Sequence, residues 1–198
     1  MRVAILDYGA GNLHSLAKAV TAAGAEARIE SDPAEALGAD ALMLPGVGAF
    51  ASAVAVIGPH RDELNDALRA GLPCLGICLG MQLLFDSSEE GPGTGLGVIP
   101  GHVRKLRATR IPQIGWNSIE EASDSLFEVA PLSTAYFANS YVCDPEDSTT
   151  AIAWATHDDD RFVAAVRSGN VVGVQFHPEK SSAPGCDFIR AFLEGARR

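Results

Sequence analysis

Cysteine is scarce in this sequence: four residues, at positions 74, 78, 143 and 186, and no pair is spaced as Cys-x-x-Cys. That excludes a zinc centre built on paired clusters, and no metal or cofactor is expected. So few cysteines in a chain of this size read as reduced thiols and a cytoplasmic protein. Basic residues are also in short supply, with 15 Lys and Arg against 25 Asp and Glu and a net charge of −10. Binding to a phosphate backbone needs the opposite balance, so no nucleic acid is expected. The same charge disfavours an anionic membrane surface. No apolar stretch approaches the length of a membrane span. The opening run Val3-Ala4-Ile5-Leu6 is too short for a signal peptide and has no cleavage motif after it. Internal repeats, low-complexity tracts and an interdomain linker are missing as well, so residues 1–198 read as one domain.

What is present is a globular composition, 47% hydrophobic and 20% charged. In the first half, apolar runs at Val3–Leu6, 25–30, Ala41–Leu44 and 72–77 read as strands. Helical spacing fills the gaps. Asn12 can cap a helix carrying Leu13, Leu16, Ala17 and Val20, which Gly24 stops. Asp32-Pro33 opens a short helix, and residues 50–70 form a longer one interrupted at Gly58-Pro59. A helix is predicted over 79–85. In the second half, short strands are predicted at 103–106, 136–138, 151–155, 162–166 and 171–176, and a helix over 186–196. The pattern predicts an α/β fold: a mostly parallel central sheet flanked by helices, with short antiparallel strands added in the second half.

Gly76-Ile77-Cys78-Leu79-Gly80 joins an apolar strand to an apolar helix. This is the G-x-nucleophile-x-G elbow with sulfur in place of oxygen. A sharp strand-to-helix turn needs small flanking residues and exposes the nucleophile at the sheet edge. It also sets Cys78 at a helix N-terminus, where the macrodipole favours an anion. On this pentapeptide alone, Cys78 reads equally well as a small buried hydrophobe. Cys74, Cys143 and Cys186 read as structural. A thiol nucleophile needs a base, and the base needs an orienting group. Among His14, His60, His102, His157 and His177, only His177 ends an apolar strand, with Pro178 and Glu179 directly after it. Parallel sheets place functional groups at such strand ends. Together the three residues compose a Cys-His-Glu triad.

Gly76–Gln82 with Phe176-His177-Pro178-Glu179-Lys180-Ser181 resembles the class I, triad-type glutamine amidotransferases over essentially the whole chain. Tyr8-Gly9-Ala10-Gly11-Asn12, Pro45-Gly46-Val47-Gly48, Gly115-Trp116-Asn117 and Asn139-Ser140-Tyr141 are similar, more narrowly, to the glutaminase subunits of imidazole glycerol phosphate synthase. Gln113 departs from the His expected there in many relatives. The resemblance implies hydrolysis of L-glutamine through a thioester on Cys78. His177 acts as acid and base, and Glu179 orients it. Oxyanion donors come from Leu79 and from the Gly46, Val47 and Gly48 segment, whose peptide reorients on activation. Gln82, Glu90, Ser140 and Tyr141 hold the substrate, with Glu89 as the neighbour that could replace Glu90. Ammonia passes to a cyclase subunit, a (β/α)-barrel partner in a heterodimer serving histidine biosynthesis. Asn12, Trp116 and Lys180 lie at that interface, although Trp116 also suits partial core burial. Competing readings are another enzyme on the same fold, such as a cysteine hydrolase or the glutaminase of vitamin B6 synthesis, and a noncatalytic scaffold with a dead elbow.

Overall fold

Strands and helices alternate through the first half because short apolar runs are separated by amphipathic ones. The computed structural model describes residues 1–9, 13–46 and 48–197. The order is β1 (Arg2–Leu6), α1 (His14–Ala22), β2 (Glu26–Glu30), α2 (Pro33–Ala36), β3 (Ala41–Leu44), α3 (Phe50–Ile57), α4 (Arg61–Arg69) and β4 (Cys74–Ile77). Gly24, at φ 78, follows α1 as the stop signal requires. Asn12, expected to cap α1, lies outside the described residues. The Asp32 carboxylate accepts the Ala34 N–H at 2.9 Å and caps α2. A 3-10 turn at Gly58–His60 separates α3 from α4.

Next come α5 (Leu79–Gln82), β5 (Ser87–Ser88) and β6 (Gly101–Lys105). They are followed by β7 (Gln113–Ser118), α6 (Ser125–Val129), β8 (Thr134–Asn139) and β9 (Tyr141–Pro145). The chain closes with β10 (Ala151–His157), β11 (Asp160–Ser168), β12 (Val171–Val174) and α7 (Ser182–Gly195). The helix predicted over 79–85 is only one turn long. The carbonyls of Leu83, Leu84 and Phe85 accept from Leu96 (2.7 Å), Ile99 (3.0 Å) and Gly97 (3.3 Å), so a folded-back loop replaces the next helical turn. The last helix starts four residues earlier than the apolar pattern indicates, at Ser182 rather than Cys186. The sequence pattern predicts none of strands β5, β7 and β9.

One seven-stranded sheet runs β10-β11-β12-β4-β3-β1-β2. Its β2, β1, β3, β4 and β12 pairings are parallel, and β10 and β11 extend it antiparallel. Two small sheets, β5-β6-β9 and β7-β8, stand beside it. Side chains alternate across the main sheet: Val3 and Ile5 join one apolar layer, Ala4 and Leu6 the other. Phe137, Phe176 and Phe188 stack edge to face in the first layer, with centroids 5.9 and 5.7 Å apart along the series. Among the described residues, no helix is long and apolar enough to cross a membrane.

Candidate active site

Parallel pairing of β4 with β12 sets Ile77 opposite Val174, so the next residues of both strands emerge at the same sheet edge. The Cys78 N–H donates to the Val174 carbonyl at 2.7 Å. Cys78 sits at φ 49, ψ −102, a backbone region that side chains rarely adopt. Glycines make room for it. A Cβ on Gly76 would lie 2.6 Å from the Gly80 carbonyl oxygen, and one on Gly80 would collide with the Leu44 carbonyl. A Cβ on Gly46 would lie 2.8 Å from the His177 Cε1 and 2.9 Å from the Cys78 Cβ. The segment after β3 therefore packs its backbone directly on the sulfur-bearing turn.

His177 is clamped by β8. Its N–H donates to the Tyr136 carbonyl at 2.8 Å. Buried Ser181 donates its hydroxyl to the His177 carbonyl at 2.7 Å and accepts the Tyr136 N–H at 2.9 Å. The His177 Nδ1 meets the Glu179 Oε1 at 2.8 Å. With a carboxylate there, Nδ1 carries the hydrogen and Nε2 is left for Cys78. Burial opposes protonation of His177, but hydrogen bonds to Cys78 and Glu179 outweigh it and raise the pKa from 6.5 to about 9.

A cavity of about 350 Å³ opens over these groups. Gly46, Gly48, Cys78, Leu79, Gln82, Glu90, Ser140, Tyr141, His177 and Lys180 all line it, with Ala138 and Asn139. Val47 falls outside the described residues, as does Asn12. Glu90 faces the cavity and accepts the Phe50 N–H at 2.9 Å, whereas Glu89 is turned to the Lys105 N–H at 2.8 Å. Trp116 lies outside the cavity, 55% exposed on β7 beside Ile114 at 67%. It meets Tyr136 edge to face, and the Lys180 ammonium stands 6.0 Å from the same tyrosine ring. A larger cavity of about 520 Å³ lies at Pro73 and Asn170, the opposite edge of the sheet, and contains none of these residues. Among the described residues, no cluster of His, Cys, Asp or Glu could hold a metal ion.

Sequence reasoning missed several residues. Buried Tyr8 donates its hydroxyl to the Pro45 carbonyl and ties β1 to the segment after β3. In the sequence Ser181 stands out only as the last residue of the Phe176–Ser181 motif. Gln175, fully buried, touches the sulfur. A lone amide inside the apolar run Val171–Phe176 was the available signal for it.

Burial pushes the Cys74 and Cys143 thiols up, and Cys186 is half-buried on α7. Only Cys78 faces the cavity. A glutamine-analogue electrophile should therefore label Cys78 at least about tenfold faster than any other cysteine of the folded chain. Peptide mass mapping checks this, and preferential label on Cys74, Cys143 or Cys186 would refute the elbow assignment.

Comparison with known proteins agrees with this geometry. The profile of the family "Glutamine amidotransferase class-I" matches residues 4–195. Imidazole glycerol phosphate synthase subunit HisH of Gloeothece citriformis is 42% identical over 203 residues, covering 98% of this chain and 96% of that protein. The HisH subunit of Methanothermobacter thermautotrophicus is 44% identical, covering 97% of this chain and 98% of that protein. Among solved structures, a glutamine amidotransferase superposes with a TM-score of 0.77 at 23% identity, covering 99% of each chain. The PurLQS structure from Thermotoga maritima gives 0.75 at 18% identity, with 98% of each chain covered. At such identities these two structures speak to the fold alone. The sequence match is of another order, and by it the chain belongs to the class-I glutamine amidotransferase family, in the branch of the imidazole glycerol phosphate synthase HisH subunits.

Proposed function

We propose that the chain hydrolyses L-glutamine to glutamate and ammonia on Cys78, and supplies the ammonia to a cyclase subunit that makes imidazole glycerol phosphate in histidine biosynthesis. The observation that carries this is the convergence of Cys78, His177 and Glu179 at one sheet edge, with the 2.8 Å Glu179–His177 contact behind the base. His177 takes the thiol proton, and the sulfur attacks the side-chain carboxamide. Backbone N–H groups of Leu79 and of the Gly46–Val47–Gly48 segment receive the oxyanion. His177 returns the proton to departing ammonia, and water then cleaves the glutamyl thioester. Both Gln82 amide hydrogens are engaged, by the Tyr141 carbonyl at 3.3 Å and the Gln175 Oε1 at 3.5 Å. Its own carbonyl remains to accept from substrate, alongside Glu90, while Ser140 and Tyr141 hold the other end of the amino acid.

The cyclase docks on the face carrying exposed Trp116, Ile114 and Lys180. Exposed apolar side chains grouped around an aromatic mark such faces. Both subunits work in the cytoplasm, and residues 1–198 act as one glutaminase domain without a cofactor. Because Tyr136 is bonded through its backbone to His177 and Ser181, this face lies directly behind the base. Docking therefore couples to hydrolysis. Glutamine turnover should be low for the chain alone and rise roughly a hundredfold with cyclase and its acceptor ligand, the effect of one oxyanion donor. Steady-state assays of the chain, the complex and the liganded complex test this. Equal kcat in all three would reject the coupling, and Lys180→Ala should weaken stimulation more than Lys105→Ala on β6.

A further inference from the structure

We propose that Gln175 is a further catalytic residue of this reaction: its amide N–H holds the Cys78 sulfur as an anion, and Gln82 locks that amide in the donating orientation. The proposal rests on Cys78 being the nucleophile. Gln175 is 0% exposed, among apolar neighbours, where an amide is costly unless its polar atoms are engaged. Its Nε2 lies 3.4 Å from the Cys78 Sγ, and its Oε1 lies 3.5 Å from the Gln82 Nε2. The same Gln82 nitrogen donates its other hydrogen to the Tyr141 carbonyl at 3.3 Å. Turning the Gln175 amide over would set two NH₂ groups face to face and press a carbonyl against the sulfur. The relay Tyr141–Gln82–Gln175–Cys78 therefore has one workable polarity.

The sulfur has an opposing neighbour. The Ala138 carbonyl oxygen stands 3.9 Å from Sγ and can accept a thiol hydrogen, which disfavours the anion. Gln175 offsets it from the other side. In acylation the thiol proton passes to His177, the S–C bond forms, and the C–N bond breaks as that proton goes to the leaving nitrogen. In deacylation water adds to the thioester as His177 takes one of its protons, the C–S bond breaks with its electron pair returning to sulfur, and His177 then hands that proton back to the sulfur. The Gln175 N–H is donated to that anion at both moments. Other titratable and charged groups around the sulfur are His177 with Glu179, Tyr8 after β1, Cys143 on β9, and Glu90 and Lys180 on the cavity wall.

The test is the pH profile of Cys78 alkylation by iodoacetamide in the full chain, which needs no glutamine. Gln175→Met keeps the length and removes the donor. Its alkylation midpoint should move up by about one pH unit, with about tenfold slower labelling at neutral pH. For the cyclase complex, kcat for glutamine should fall about tenfold with KM held within about twofold. An unchanged profile in a Gln175→Met protein of native unfolding midpoint overturns the proposal, and so does a raised KM at constant kcat. Should that variant not fold, Gln175→Asn draws the amide back by about 1.5 Å and must show the same upward shift. Gln82→Leu should shift the profile in the same direction, and adding it to Gln175→Met should add nothing. Additive shifts would overturn the locking role. A shifted profile in a chain that never hydrolyses glutamine would instead refute the glutaminase reading and leave the hydrogen bond standing.

Discussion

Cys78→Ala should lose glutamine-dependent turnover by about 10⁴-fold or more, since triad nucleophiles act as part of a unit with no substitute nearby. Synthesis from added ammonia by the assembled complex should continue, because the sulfur serves only amide cleavage. Cys78→Ser should be nearly as inactive: the hydroxyl is a far weaker nucleophile, and the pocket is shaped for a larger atom. The backbone tolerates both changes, as neither adds bulk at a position already held at φ 49 by its glycine neighbours. Comparison of glutamine- and ammonia-driven rates in one preparation decides the matter. Retained glutamine hydrolysis in Cys78→Ala would sink the assignment of the nucleophile.

Arg104→Met should destabilise the fold by about 3–5 kcal/mol, the usual consequence of stripping one partner from a buried ion pair. Arg104 on β6 grips Asp160 at the start of β11 with two hydrogen bonds, of 2.7 and 2.9 Å. Both side chains are buried, and once the Arg104 guanidinium is gone Asp160 keeps, among the described residues, the Arg107 N–H at 2.8 Å and the pull of the Arg107 charge. The pair ties the small β5-β6-β9 sheet to the main one. Burial tends to raise the Asp160 pKa, but the hydrogen bonds from Arg104 and the Arg107 N–H, with the charges of both guanidinium groups, together outweigh it and hold the carboxyl low. The pair's contribution is thus present above the unfolded carboxylate range and lost as pH falls through the lowered folded value. In Arg104→Met, acid unfolding should begin at higher pH. Denaturant melts across a pH series check both points, and a loss under about 1 kcal/mol would show the pair to be solvent-screened.

The sequence carried the parallel half of the fold well, because Val3–Leu6, Ala41–Leu44 and Cys74–Ile77 are buried on both faces and read as unbroken apolar runs. It was weaker for β7, where Gly115 and the outward Ile114 and Trp116 invert the usual alternation. The truncated α5 was hidden too, since its stop is made by the distant N–H groups of residues 96–99 rather than by a local breaker. At the site, residues in short motifs were legible: Cys78 between its glycines, His177 with Glu179 after it. Gln175, Ser181 and Tyr8 were not, because each acts through a contact to a residue far away in sequence: Cys78, Tyr136 and Pro45 respectively. The choice between Glu89 and Glu90 needed side-chain direction, which a two-residue run cannot give.

The position of β12 between β4 and β11 has a consequence for how the protein is made. During translation the strands β1 to β4 emerge early and can assemble, but one edge of β4 finds its partner only when residues 171–174 follow. Until then the nascent chain presents an open row of backbone donors and acceptors, the kind of edge that recruits stray strands. The sulfur emerges with β4, yet His177, its proposed base, follows the strand that seals the edge. On the proposed triad, sealing this edge and supplying the base both wait for the same late stretch of chain, so a chain cut short before residue 177 should hydrolyse no glutamine.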